Sequence, residues 1–491
     1  MRYLLGIDFG GGASKATLIS DTGVTIAEST VEYPTLHPFP GACEQDPGDW
    51  LYALRKNISV LLEKSGADPR DILAVAVDSA THSVLVCDGE AMPLRNCIHW
   101  TDSRSRSQAE RLCREYGEMI FDRTFHKPDT IWTLPQLCWL RENEAELFSR
   151  IRMIFFEKDY IRYFLTDVFC TDFIEAEGSM LFDCRKMEWD GELCRLAGID
   201  AGALPPVVSP TDIVGSVTKA ASEITGLAEG TPVICGTTDT CMEILAAGAV
   251  EKGDMTVKLA TAGRVCVITD RPYPDRNLVN YSHAAKGLWY PGTATKAAAS
   301  SYRWYRDTFG GSYRELDSAA ASVPVGCEGL MFHPYINGEL TPYADPTLAG
   351  SFIGIRSTHT KAHFDRAVLE GVAFSLLDCM RYLDNTGIPH KAYGTLIGGG
   401  AKGKLWGQIV SDCLGIRLVT TESSDSSLGS AMLAGVAVGA FTDLCDAVAH
   451  CVKVNGEFVP DHANTAKYSE LFKTYRAIHD ALAPVYHGEK L

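Results

Sequence analysis

The run GIDFGGGASK, residues 6–15, places one carboxylate, Asp8, at the end of an apolar stretch and follows it with Gly10, Gly11, Gly12 and then Lys15. Glycines let backbone N–H groups face an anion, and a carboxylate beside them suits a hydrated Mg²⁺ near phosphate oxygens. Lys15 adds a point charge. The same residues also fit a plain β-hairpin with an aspartate near its turn, and the spacing is not that of a G-x-x-x-x-G-K-[ST] loop. Asp239, in VICGTTDTC, follows a fully apolar strand, where an α/β sheet presents side chains to a crevice. A carboxylate there is the best candidate for a base that orients a hydroxyl and takes its proton, and Asp239 is a second candidate for the metal. It also sits where a helix N-cap would, since apolar helical residues follow.

Three further groups complete the candidate chemistry. The LATAG turn, residues 259–263, offers the Thr261 hydroxyl and the amides of Ala262 and Gly263 as a second phosphate cradle, or simply a β-turn. The GGGA turn, with Gly399, Gly400 and Ala401, lets backbone approach a flat ring such as adenine, or serves as a tight strand-to-helix turn. Thr81, His82 and Ser83, with Trp100, Asp102 and Arg104, gather donors and acceptors around one aromatic face, which suits a polyol. The bland alternatives are a structural His82 and a capped helix start at WTDSR.

The elements that must position these groups alternate between strand and helix, which implies an α/β fold. LLGID, a glycine turn and SKATLIS predict a hairpin, and TVKLA, TAG and RVCVIT repeat that pattern later in the chain. Helices are expected near residues 47–66, 104–116 and 134–148, with a buried strand ILAVAVDS and a short hairpin near 84–92. The second half predicts helices at 297–309 and 363–385, a long loop at 334–354, the strand before GGGA, and a final helix at 427–439. The small residues of that last helix read as a surface for close packing.

A chain of 491 residues exceeds what one core organises, so two domains are expected, divided as 1–247 and 248–491. The 45 basic and 62 acidic side chains leave a net charge of -17, which repels nucleic acid. No stretch of about 18 apolar residues suits a membrane span, and MRYLLGIDFGGG lacks a signal peptide's basic and apolar regions, so the expectation is a cytoplasmic protein with no membrane partner. The 16 cysteines are scattered without a C-x-x-C pair and read as small buried side chains.

The order GIDFGGG, ATHS, HWTDSR, GTTD, LATAG and LIGGGA resembles the FGGY carbohydrate kinases, most closely their xylulokinase branch, over nearly the whole chain. Residues 350–370, GSFIGIRSTHTKAHFDRAVLE, fit that family's long second signature, and FHPYINGELTP and TDFIEAEGSMLFD also match. The resemblance implies two actin-like, ribonuclease H-like lobes closing around ATP, Mg²⁺ and a sugar, with Asp239 as proton acceptor and Asp8 near Mg²⁺. It further implies Thr261 to Gly263 on phosphate, Gly399 to Ala401 on adenosine, and Thr81 and His82 on the sugar. A homodimer is implied by the family alone. The leading substrate is D-xylulose, ahead of L-ribulose, L-xylulose, gluconate or an autoinducer-like dihydroxyketone. A sugar sensor without turnover, or a chaperone-like ATPase, are the rivals outside that class. Several positions depart from the family: Gly11 and Gly12 stand for Thr and Ser, Ala260 for Gly, Gln136 for Lys, Thr81 for Met and Thr240 for Asn.

Overall fold

Tyr3–Phe9 (β1) is apolar apart from Asp8 and buried from Leu4 onward, as expected of a strand with partners on both edges. In the computed structural model, which describes residues 1–488, it pairs antiparallel with Ala13–Ser20 (β2), and β2 pairs with Thr25–Glu32 (β3). On its other edge β1 runs parallel to Ile72–Ser79 (β4). Ile213–Ser216 (β5) and Pro232–Ile234 (β6) complete a sheet of order β5-β6-β4-β1-β2-β3.

The later part of the chain repeats the plan. Met255–Leu259 (β7), Gly263–Val267 (β8), Gly292–Thr295 (β9), Tyr393–Ile397 (β10), Arg417–Thr421 (β11) and Val454–Phe458 (β12) form a sheet of order β9-β8-β7-β10-β11-β12. Each sheet has an antiparallel meander of three strands, then two parallel strands, then an antiparallel edge strand. These are the two ribonuclease H-like, actin-like lobes that the resemblance implied.

By packing, one compact unit comprises Met1–Val250, Tyr281–Leu288 and Ser423–Val452, and the other comprises Glu251–Asn280, Trp289–Glu422 and Lys453–Leu491. Two segments later in the chain than 248 therefore pack with the first unit. The reason is visible in the Ser426–Ala437 helix, which the small residues let settle against the first sheet and the Asp239–Ala246 helix. A Cβ on Gly6 of β1 would fall 1.9 Å from Ser427 O, and one on Gly429 would fall 2.1 Å from Met242 O.

Each unit has its own core. In the first, the Pro47–Ser65 helix starts at the Asp46 cap with Pro47 in its first turn, ends at Gly66 in the left-handed region, and buries Trp50, Leu54 and Ile58 at helical spacing. In the second, the Lys361–Asn385 helix is buried through most of its length, and the His462–Tyr486 helix contributes Tyr468 and Tyr475 to the same core. That last helix, together with Lys404–Leu414 and Leu444–Cys451, was absent from the sequence reading, so 427–439 is not the final helix. The 104–116 helix is observed as Arg106–Thr124. The 134–148 helix is two, Thr133–Asn143 and Ala145–Ser149, because Glu144 leaves helical geometry at φ -130° and ψ 49°. Among the described residues no helix is long and apolar enough to cross a membrane.

The contact at Gly6 gives a direct test. Gly6→Ala pushes a methyl into the Ser426–Ala437 helix and should cost about 1–3 kcal/mol, the usual penalty of overpacking. Gly12→Ala meets nothing within 4 Å and should stay within about 0.5 kcal/mol of wild type. Denaturant midpoints measure both, and equal midpoints for the two variants would contradict this packing.

Candidate active site

Asp8 lies near the end of β1, in register with Lys15 on β2 and with Asp78 on the parallel strand β4. Residues in register on adjacent strands point to one face, so two carboxylates and an ammonium share a small area. Lys15 Nζ is 2.6 Å from Asp425 Oδ2, and Asp425 also caps the Ser426–Ala437 helix. Asp78 is fully buried, and Ser430 of that helix donates its hydroxyl to Asp78 Oδ2 at 2.5 Å.

Burial, then the Asp425 and Asp239 carboxylates, push the Asp8 carboxyl up to about 7, while a hydrogen bond from Asp78 and the charge of Lys15 pull the other way. Asp78 is pushed well above the carboxylate range, first by burial and then by Asp8. Two buried carboxyls side by side cannot both ionise cheaply, so Asp78 keeps its proton and shares it with Asp8. Glu157, fully buried, is pushed up by burial and by Asp8, Glu175 and Asp239. The lone acid in the strand ILAVAVDS is the sequence signal for Asp78, which the sequence analysis did not single out.

Asp239 opens the Asp239–Ala246 helix, but Thr238 holds the cap position, with φ -78° and ψ 149°. A Ser79–Thr238 bridge lays the loop along the end of β4. The Asp239 carboxylate is half-buried; its Oδ1 takes the Thr240 N–H at 2.5 Å and the Thr81 hydroxyl at 3.4 Å. Next to Thr81, His82 is buried with φ 54°, and its N–H donates to Glu175 Oε1 at 2.5 Å. Burial, then His126 and His99, lower the His82 imidazole to about 3, so it is neutral. Gly178 is needed beside it, because a Cβ there would lie 2.8 Å from His82 Nδ1 and 3.0 Å from Thr81 Cγ2.

Trp100 is 39% exposed, and its N–H reaches the buried Ser83 hydroxyl at 3.4 Å. Asp102 is fully buried; Oδ2 accepts from Cys43 N at 2.6 Å, and Oδ1 accepts from Arg104 N and Nε, each at 2.9 Å. Arg104 also bonds Glu44 Oε1 at 2.7 Å. These bonds let Asp102 anchor the loop that carries Trp100.

The first glycine turn has its carbonyls tied down: Tyr33 donates its hydroxyl to Gly10 O at 2.6 Å and its N–H to Gly12 O at 3.1 Å, and Thr35 donates to Gly11 O. Gly11 and Gly12 are exposed. In the second unit Thr261 O accepts from Ala298 N at 3.0 Å and Ser300 Oγ at 2.7 Å, leaving Thr261 and Ala262 at the surface. Gly398, at φ 90°, and Gly400 pack on Leu259, with prospective Cβ atoms 2.8 Å from its carbonyl oxygen and 2.5 Å from its Cγ. The second hairpin and the GGGA turn are thereby adjacent, and Gly399 has open space beside it.

Asp8 holds its proton more tightly in the folded chain than in the unfolded one, so its contribution to stability is full below pH 3.8 and is lost as pH rises toward about 7. In metal-free, nucleotide-free buffer, Asp8→Asn should raise Tm at pH 8 by roughly 2–4 °C for each kcal/mol relieved. The two proteins should converge near pH 4. A Tm difference that does not change between those pH values would contradict the assignment.

Models of the FGGY family of carbohydrate kinases match the chain in both parts, the N-terminal domain over residues 3–246 and the C-terminal domain over residues 255–438. Xylulose kinase of Bacillus subtilis is 32% identical over 486 residues, covering 98% of this chain and 97% of that protein. The crystal structure of xylulose kinase from Rhodospirillum rubrum is similar at a TM-score of 0.91 with 28% identity, over 99% of this chain and 100% of the other. The crystal structure of gluconate kinase from Lactobacillus acidophilus is similar at 0.93 with 26% identity, over 99% of each chain. Two ribonuclease H-like sheets, a strand-end carboxylate beside a polar turn, and family matches across both halves agree: the chain belongs to the FGGY family of carbohydrate kinases.

Proposed function

We propose that this ATP-dependent sugar kinase transfers the γ-phosphoryl group of ATP to a terminal hydroxyl of D-xylulose, giving xylulose 5-phosphate. The observation that carries the reading is the half-buried Asp239 carboxylate, at a strand end and hydrogen-bonded to Thr81. Asp239 accepts the proton of the attacking hydroxyl, while Thr81, His82, Trp100 and Thr240 hold the sugar. Positioning is the main requirement, because phosphoryl transfer needs little covalent help from the protein. In the nucleotide part of this reading, Gly10 to Gly12 and Lys15 meet phosphate from the first unit. Thr261 to Gly263 meet phosphate from the second, and Gly399 to Ala401 pack against adenosine.

Mg²⁺ fits the carboxyl cluster. Asp8 is raised by burial and then by its acidic neighbours Asp425 and Asp239, and the like charge is what a cation relieves. Asp8 would hold such an ion through water, and the ion would supply charge neutralisation on the transferring phosphate.

Charge favours a ketose over gluconate in this reading. Lys15, Arg104, Lys158 and Arg162 are each already paired with carboxylates, and the imidazoles of His82, His99 and His126 are all lowered by burial, to about 3, 4 and 3. An anionic sugar acid would find none of these cations unpaired and would face Asp8 and Asp239. An uncharged polyol meets hydroxyls, neutral imidazole and an indole face, which supports D-xylulose.

ADP release measured with a panel of ketoses, polyols and aldonates should be highest with D-xylulose and lower with gluconate; no sugar raising it above the ATP-only rate would contradict the reading. Asp239→Asn should retain nucleotide and sugar binding and lose kcat by about 10²–10⁴-fold, the range for a general base. Unchanged turnover would move the base elsewhere.

A further inference from the structure

Asp172 is fully buried, and its Oδ1 accepts three hydrogen bonds: from Thr237 Oγ1 at 2.8 Å, Ile174 N at 2.9 Å and Glu175 N at 3.3 Å. The first holds the loop that ends, two residues on, in Asp239. The other two cap the short Phe173–Gly178 helix. From that helix Glu175 Oε1 takes the His82 N–H, and Thr81, its neighbour in the chain, donates to Asp239. The links close a ring running Asp172, Thr237, Asp239, Thr81, His82, Glu175 and back to Asp172. His82 needs such a hold, since its φ of 54° lies in the left-handed region, where a side chain costs about 1–3 kcal/mol unless its surroundings fix it.

The ring rests on a buried set of charges. Lys158 Nζ lies 2.5 Å from Asp159 Oδ1 and 2.9 Å from Asp172 Oδ2. The Lys158 N–H donates to Ser79 Oγ at 3.0 Å, and Ser79 forms the bridge to Thr238. Arg162 joins Asp159 Oδ1 at 2.7 Å and Cys235 O at 2.9 Å, at the start of the Asp239 loop. These four charged side chains are fully buried. Buried ion pairs contribute little net stability compared with apolar packing, and their best-attested use is to fix one arrangement against others. Here Arg162 reaches Cys235 of the loop that carries the proposed base, and the Lys158 N–H reaches Ser79, which is bridged to Thr238 of the same loop.

We infer that Asp172, held by Lys158, is a positioning residue that sets Asp239 against Thr81, acting through the Thr237 hydroxyl. The inference rests on the reading of Asp239 as the base. A displacement of about 1 Å at a reacting group can cost on the order of 10²-fold in rate, so a strut with no substrate contact has a kinetic signature.

Thr237→Val and Thr237→Ala remove the link, and Thr237→Ser keeps it. The Val and Ala variants should lose kcat by about 10- to 100-fold with the KM for ATP unchanged, and Ser should stay within about threefold of wild type. On an Asp239→Asn background Thr237→Val should cost nothing further, because no base remains to be placed. The proposal is overturned if Val or Ala variants with wild-type circular dichroism keep kcat, or if Ser falls as far as Val. Asp239→Asn alone separates the two ideas. An active Asp239→Asn removes the base reading and the strut with it. An inactive Asp239→Asn beside a fully active Thr237→Val removes the strut alone.

Discussion

The in-register pairing of β1 with β4 puts Asp8 and Asp78 side by side in a buried sheet, and much of the first unit's site is an accommodation to that crowding. Two like charges at such a spacing favour one proton between them. Ser430 satisfies Asp78 from a helix that returns from late in the chain, and Asp425 at the start of the same helix pairs with Lys15. The small residues of that helix are therefore part of the chemistry at one remove: without Gly6 and Gly429 the helix could not come close enough to deliver either contact. The acidic excess that remains is suited to a partner carrying a cation.

The proposed base is held in a different way. Asp239 is not sunk among the carboxyls; it stands half-buried, on a loop fixed from beneath by Thr237 and Arg162 and from the side by Thr81. A rigid loop over a fixed charge network lets a carboxylate be oriented without being buried.

Features set by local pattern were readable from sequence. Both glycine hairpins, the Pro47–Ser65 helix with its Asp46 cap, and the strand ILAVAVDS lie where periodicity and turn chemistry put them. Features set by tertiary packing were not. Asp78 looks like the polar end of a strand until β1 is laid beside it, and Glu175 looks like one of several acids in a short helix until His82 is seen to need its oxygen. WTDSR reads either as a polar cluster for a ligand or as a capped helix start, and the bonds of Asp102 to its own arginine and to Cys43 appear only in the fold. The His462–Tyr486 helix was missed although Tyr468, Phe472, Tyr475 and His479 recur at helical spacing, since aromatic side chains interleaved with charges weaken an apolar stripe.

The central claim is that Asp239 meets the hydroxyl that becomes phosphorylated. A crystal structure of the chain with D-xylulose and a non-hydrolysable ATP analogue tests it most directly. The account predicts an Asp239 carboxylate oxygen within about 2.6–3.2 Å of the terminal hydroxyl, the reach of a general base. A hydroxyl turned to another side chain, with Asp239 still bonded only to Thr81 and Thr240, would contradict it.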